Sequence, residues 1–189
     1  MSASSANSSS PTLAEAQREM RFAYYDGAPG LLTSATVWAI AGVVSLVTPP
    51  TRAIWTLLLG GMLIFPVSVL LTKALGRPGK HRADNPLGSL ALATTFWMIL
   101  MLSLAFGVSR LRPEWFFPAM LLIIGGRYLT FATLYGLRLY WICGAVLAAT
   151  GCAIGLANAA PTLGAFAGAA IESGFAAVLF VSARRTATA

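Results

Sequence analysis

Charge is what this sequence has least of. Only 10% of its 189 residues are Asp, Glu, Lys or Arg, against about 25% in ordinary soluble domains. The deficit lies in long apolar runs, with a mean hydropathy of +0.75, which excludes a soluble globular domain and leaves a polytopic membrane protein. Histidine is nearly absent too. His81 stands alone in a basic loop, which excludes a His/Cys zinc site and any histidine-activated serine inside the membrane. Cys143 and Cys152 fall nine residues apart on one predicted helix, about 13 Å along its axis and on opposite faces, too far to bridge within it. Glu172 is the only acid in the apolar core, so the paired carboxylates of hydrolytic chemistry are missing. No phosphate-binding glycine loop and no HExxH motif occurs. An enzyme, a cofactor and a metal are therefore not expected. The net charge of +7 suits basic loops on one side of a membrane, so no nucleic-acid partner is expected either.

What is present is a succession of spans. Residues 1–10, MSASSANSSS, lack the apolar core of a secretory signal and read as a disordered tail. Residues 11–25 read as an amphipathic helix lying at the membrane surface. Thr12 and Glu15 stand in capping-box spacing, apolar Leu13, Ala16, Met20 and Ala23 alternate with charges, and Tyr24 and Tyr25 are the interfacial anchors. Residues 26–183 form an all-α integral membrane domain of six transmembrane helices, at 30–47, 53–72, 87–107, 116–136, 139–157 and 162–182, with a short tail at 184–189. Each connector carries helix-stopping chemistry, such as Thr48-Pro-Pro-Thr51 and Asn158-Ala-Ala-Pro161. A kink is expected at Pro66, inside the second span.

Basic residues sort the two sides. Nine (Arg18, Arg21, Lys73, Arg77, Lys80, Arg82, Arg138, Arg184 and Arg185) share the side of both termini, and three (Arg52, Arg110 and Arg112) lie opposite. The positive-inside rule then places both termini in the cytoplasm. The first two hairpins also look like a tandem repeat. Trp38 and Trp97 lie 59 residues apart, and Arg52-x-x-Trp55 answers Arg112-x-x-Trp115 at a distance of 60. The competing account is convergence, because helix ends at one interface attract the same residues. A repeat places Trp38 over Trp97 and Trp55 over Trp115.

Two spans carry a charge near mid-membrane, Arg127 in the fourth and Glu172 in the sixth. An unpaired charge there costs at least ~2.5–3.5 kcal/mol, so pairing, water or snorkelling must offset it. Helix rise puts the two at depths differing by about 5 Å, and they are expected within ~4 Å of each other or joined by one water, within an arginine's reach. Thr94, Thr95 and Thr130 lie at similar depth and complete the candidate polar centre. Three readings are open: an ion pair pinning two helices, a hydrated centre touching a solute or proton, or Arg127 snorkelling to the interface. The last two spans are expected to pack closely through Gly151-x-x-x-Gly155 and Gly164-x-x-x-Gly168, in register across a short turn. Glu172 extends the second stripe and so points into protein, facing Gly144 and Ala148.

Glu19-Met-Arg21 with Tyr24, Asp26-Gly-Ala-Pro-Gly30 and Trp38 resemble an uncharacterised family of small bacterial polytopic membrane proteins, a domain of unknown function. So do Gly79-Lys80 with Asn85-Pro-Leu87, and Trp115-Phe-Phe-Pro118 with Gly125-Gly-Arg-Tyr128 and Leu134-Tyr-Gly136. The resemblance covers about residues 15–147 and implies a bacterial inner-membrane setting and no catalytic residues. The expected role is transport or permeation of a small anion or polar solute through the Arg127–Glu172 centre. The rival is a non-transporting scaffold in which the charges only lock helices and the basic face binds lipid or a partner. Six helices are few for a monomeric transporter, which brings a homodimer into consideration.

Overall fold

A computed structural model describes the backbone of residues 11–188 and the side chains of residues 11–184. The segment 1–10 expected to be disordered lies outside the described residues. The elements are α1 (Leu13–Tyr24), a 3₁₀ turn (Tyr25–Gly27), α2 (Ala28–Val47), α3 (Pro50–Ala74), α4 (Leu87–Leu111), a second 3₁₀ turn (Pro113–Trp115), α5 (Phe116–Tyr135), α6 (Leu139–Leu156) and α7 (Pro161–Thr188). Six helices are long and apolar enough to cross a membrane, so the chain is an all-helical membrane-spanning protein. Proline begins α3 and α7, where its missing N–H would be unpaired in any case. Helix α3 runs through Pro66 without a break. Helix α7 continues to Thr188, through most of the segment read as a tail.

The core is built from two close antiparallel pairs, α2 with α7 and α5 with α6. Along the first pair the residues meet in a regular antiparallel ladder. The Ser45 hydroxyl donates to Thr162 Oγ1 at 2.8 Å, Gly42 meets the Phe166 ring, and Gly168 meets Trp38. The second pair has backbones in direct approach. A Cβ at Gly125 would lie 2.7 Å from the Gly144 carbonyl oxygen, and one at Gly144 would lie 2.6 Å from the Gly125 oxygen. With no hydrophobic drive between helices in lipid, such contact supplies the packing energy.

This arrangement corrects the expected α6–α7 pairing. Gly151 faces the Pro118 carbonyl and Gly155 the Trp115 ring, so the α6 glycines serve α5. Gly164 meets Phe117 of α5, and Gly168 meets Trp38 of α2. Both stripes are contact surfaces, but not for each other: the α6 glycines meet α5 and the turn before it, and the α7 glycines meet α5 and α2, because α7 lies against α2 rather than flat on α6.

Helices α3 and α4 flank the core, α3 on α2 and α4 on α5, and expose broad apolar faces that include Met62, Phe65, Phe96 and Leu100. The hairpins α2–α3 and α4–α5 differ in how they bury their corresponding tryptophans. Trp38 is fully buried, whereas Trp97 is 54% exposed.

Helix α1 packs on the end of the bundle. Its capping box forms as predicted, with Glu15 N–H donating to Thr12 Oγ1 and Thr12 N–H to the Glu15 carboxylate. On its apolar face Ala16, Met20 and Ala23 are buried against the rest of the protein, while Leu13 is exposed. Gln17 Nε2 donates to the Thr133 carbonyl at 2.7 Å and Arg21 to the Tyr135 carbonyl at 3.0 Å. These are among the last carbonyls of α5, which have no partner within their own helix. The α3–α4 loop holds the other side. Arg82 N–H donates to Glu19 at 3.0 Å, Asn85 Nδ2 to the Ala16 carbonyl at 3.1 Å and also to Glu19, and Gly79 N–H to the Ala23 carbonyl at 2.9 Å. Tyr24 bonds His81 at 2.9 Å, and Tyr25 packs on Phe180. On the same loop Arg82 hydrogen-bonds Asp84 and holds its carboxyl below the usual range; both are solvent-exposed, so the pair adds little stability.

Candidate functional site

The polar residues of the membrane core divide into two groups, and α5 divides them. Arg127 and Tyr128 are consecutive, so they project about 100° apart around the helix. Tyr128 turns toward α7 and α2, while Arg127 turns toward α4.

The first group surrounds Glu172, which is completely buried. The Tyr128 hydroxyl donates to Glu172 Oε1 at 2.8 Å. Ser34 on α2 interacts with the same carboxyl, yet Oε2 has no hydrogen bond of good geometry. One turn along the α2–α7 ladder, the buried Trp38 Nε1 is likewise without a partner. Beneath Tyr128 lies an aromatic cluster. Its ring centroid is 5.9 Å from that of Tyr140 and 5.5 Å from that of Phe131, and Tyr140 stacks on Tyr135 at 5.3 Å. Tyr140 then donates to the Asp26 carbonyl at 2.8 Å, carrying the chain of contacts out to the turn before α2.

The second group surrounds Arg127, which is partly buried. Its guanidinium donates to Thr95 Oγ1 at 3.1 Å and to the Met98 sulfur at 3.0 Å, and lies 5.1 Å from the centroid of the Phe131 ring. A thioether is a weak acceptor, and Nε, which is buried, has no acceptor. Among the predicted threonines, only Thr95 serves the guanidinium. Thr94 donates to the Ala91 carbonyl and Thr130 to the Arg127 carbonyl, both within their own helices.

Arg127 and Glu172 do not form the direct ion pair that is one form of the expected contact. The ion pairs among the described residues are Arg82–Asp84 and Arg112–Glu114, so no Arg127 nitrogen comes within 4 Å of Glu172. Their side chains bond different neighbours. Nor do Gly144 and Ala148 face Glu172, because both lie against Gly125. Sequence reasoning missed Tyr128, Ser34 and Met98. A tyrosine hydroxyl inside an apolar span was the available signal, since it needs an acceptor there. Among the described residues no group of three His, Cys, Asp or Glu side chains is placed to hold a metal ion.

Residues 13–182 match DUF7010, a family of unknown function. The chain belongs to this family. The match takes in the last two helices, beyond the residues that carried the resemblance in sequence, and therefore includes Glu172 as well as Arg127. No curated protein and no solved structure matches the chain.

Proposed function

We propose that this DUF7010 protein is a transporter or permease for a small anion or polar solute, set in a bacterial inner membrane with both termini cytoplasmic. The observation that carries this reading is the unmet hydrogen bonding at two separate charged groups: the buried atoms Arg127 Nε and Glu172 Oε2 have no hydrogen-bond partner among the described residues. A pair that only pinned helices would satisfy each other. Membrane-buried ionisable groups left with free donors and acceptors mark paths for water, protons or solutes. In this reading Arg127, with Thr95, attracts the anion or polar solute between α4 and α5. Glu172, with Tyr128 and Ser34, is the carboxyl that exchanges a proton. The excess of basic residues at the α1 end supports the orientation. No enzymatic step is assigned to either group.

The test is flux into proteoliposomes across a panel of small ions and solutes. Wild-type protein should carry at least one of them above the lipid background. Arg127→Met should lower that flux more than tenfold, and Glu172→Gln should flatten its dependence on pH. Background-level flux for every solute, from protein that remains folded, would overturn the proposal. The scaffold reading has its own support in the Tyr128–Glu172 bond, which ties α5 to α7. It requires that both substitutions change thermal stability while flux stays at background throughout.

A further inference from the structure

The α1 end of the bundle contains a cleft that neither polar group in the membrane explains. Its volume is about 580 Å³, and its lining includes Arg21, Phe22, Tyr25, Asp26, Arg77 and Leu137. That volume lies within the range of small-molecule sites, roughly 300–1,000 Å³. The charges on its wall are preorganised but not spent on one another. Arg77 is held over the Phe22 ring at 4.4 Å and the Tyr25 ring at 5.5 Å, which fixes the guanidinium plane and leaves its edge N–H groups available. Arg21 uses one terminal nitrogen on the Tyr135 carbonyl. Asp26 lies within electrostatic range of both arginines, but among the described residues it forms an ion pair with neither, and its carboxylate accepts no hydrogen bond.

The backbone here is unusual as well. Tyr25 and Asp26 have φ of 53° and 55°, followed by Gly27 at 82°, three successive left-handed residues of which two are not glycine. Non-glycine residues in this region are strained, and such strain collects at ligand sites. The turn sets Tyr25 and Asp26 on the wall of the cleft.

We propose that the cleft binds a phosphate ester that also carries a primary ammonium, the chemistry of a phosphoethanolamine group. The phosphate would bridge Arg21 and Arg77, matching guanidinium geometry. The ammonium would meet Asp26, and glycerol or acyl carbons would lie along Phe22 and Leu137. A bare phosphate would answer the arginines but leave the Asp26 carboxylate facing a like charge. The cleft opens where the helices end, so the group belongs either to a lipid headgroup or to a free phosphodiester. This site is independent of the transport reading.

The test uses full-length protein, delipidated in detergent, with three probes: glycerophosphoethanolamine, inorganic phosphate and phosphatidylethanolamine. Calorimetry reads the soluble probes, and native mass spectrometry reads retained lipid. Glycerophosphoethanolamine should bind at least tenfold more tightly than phosphate. Asp26→Asn should abolish that preference and leave phosphate affinity within twofold; asparagine tolerates left-handed φ, so the turn should survive. Arg77→Gln should weaken both soluble probes tenfold or more, and Arg77→Lys should recover part of the loss. Arg138→Gln, an exposed cation outside the cleft, should change nothing. If intact lipid is retained and lost with Asp26→Asn, the group comes from the bilayer. If the soluble probe binds and lipid does not, it comes from a free phosphodiester. Equal losses for Arg138→Gln and Arg77→Gln would reduce the site to general basic charge and overturn the proposal. So would failure of the wild type to prefer either ethanolamine-bearing probe over phosphate.

Discussion

At Gly27 the chain has no alternative residue. Its φ is +82°, and an added Cβ would collide with the Tyr140 hydroxyl, whose bond to the Asp26 carbonyl closes the turn. Gly27→Ala should therefore destabilise the fold by about 2–4 kcal/mol, combining backbone strain with the lost hydrogen bond. A thermal melt in detergent, compared with Gly61→Ala where no atom lies within 4 Å, would check it. Glu172 makes a finer prediction. Tyr128→Phe removes the donor to a buried carboxyl and should cost about 1–3 kcal/mol. Glu172→Gln should cost less, because an amide can still accept from Tyr128. Since Arg127 turns to Thr95 and Met98 instead, the stability effects of Arg127→Met and Glu172→Leu should add within about 0.5 kcal/mol. A larger coupling in a double-mutant cycle would mean that the two charges do meet. The sequence singled out both residues by their rarity, and their depths followed from counting along the helices. What counting leaves open is rotation about the α5 axis. The Gly125–Gly144 contact fixes that rotation, and it aims Tyr128, not Arg127, at α7.

Among the elements, spans and caps were the most legible, because apolar length and the Thr12–Glu15 box are local properties. Helix partners were not. Glycine stripes on α6 and α7 announce close contact, but a stripe does not name the helix it will meet. The tightest crossing proved to be α5 on α6. Gly144→Leu should force these backbones apart and cost roughly 3 kcal/mol or more. The same change at Gly174, which has open space around it, should be nearly silent in a melt of the purified protein. Helix α1 behaves as a strap on the bundle. The double substitution Gln17→Ala with Arg21→Ala removes both of its bonds to the α5 carbonyls, worth about 0.5–1.5 kcal/mol each. Limited proteolysis should then cut within residues 11–25 faster than in the wild type, while the six long helices stay intact. An unchanged cleavage rate would show that burial of Ala16, Met20 and Ala23 alone holds the strap.

For the whole molecule, orientation is the first matter to test. A reporter fused after Ala189 should read cytoplasmic, and a cysteine placed at Asn158 should label from the opposite side. Cys152 must be replaced first because it is exposed, whereas Cys143 is buried. A C-terminus on the outer side would reverse the charge argument. The pairing of α2 with α7 has a consequence for how the protein is made. Of the six spans, α2 is made before the other five and α7 after them, and Ser45 and Thr162, bonded across the pair, are 117 residues apart. At about 5–20 residues per second, α2 waits on the order of ten seconds before its partner exists, with Ser34 and Trp38 facing lipid or the insertion machinery. Assembly therefore waits for α7: a nascent chain stalled before Pro161 should still insert its earlier helices, yet remain a substrate for membrane proteases until α7 is released.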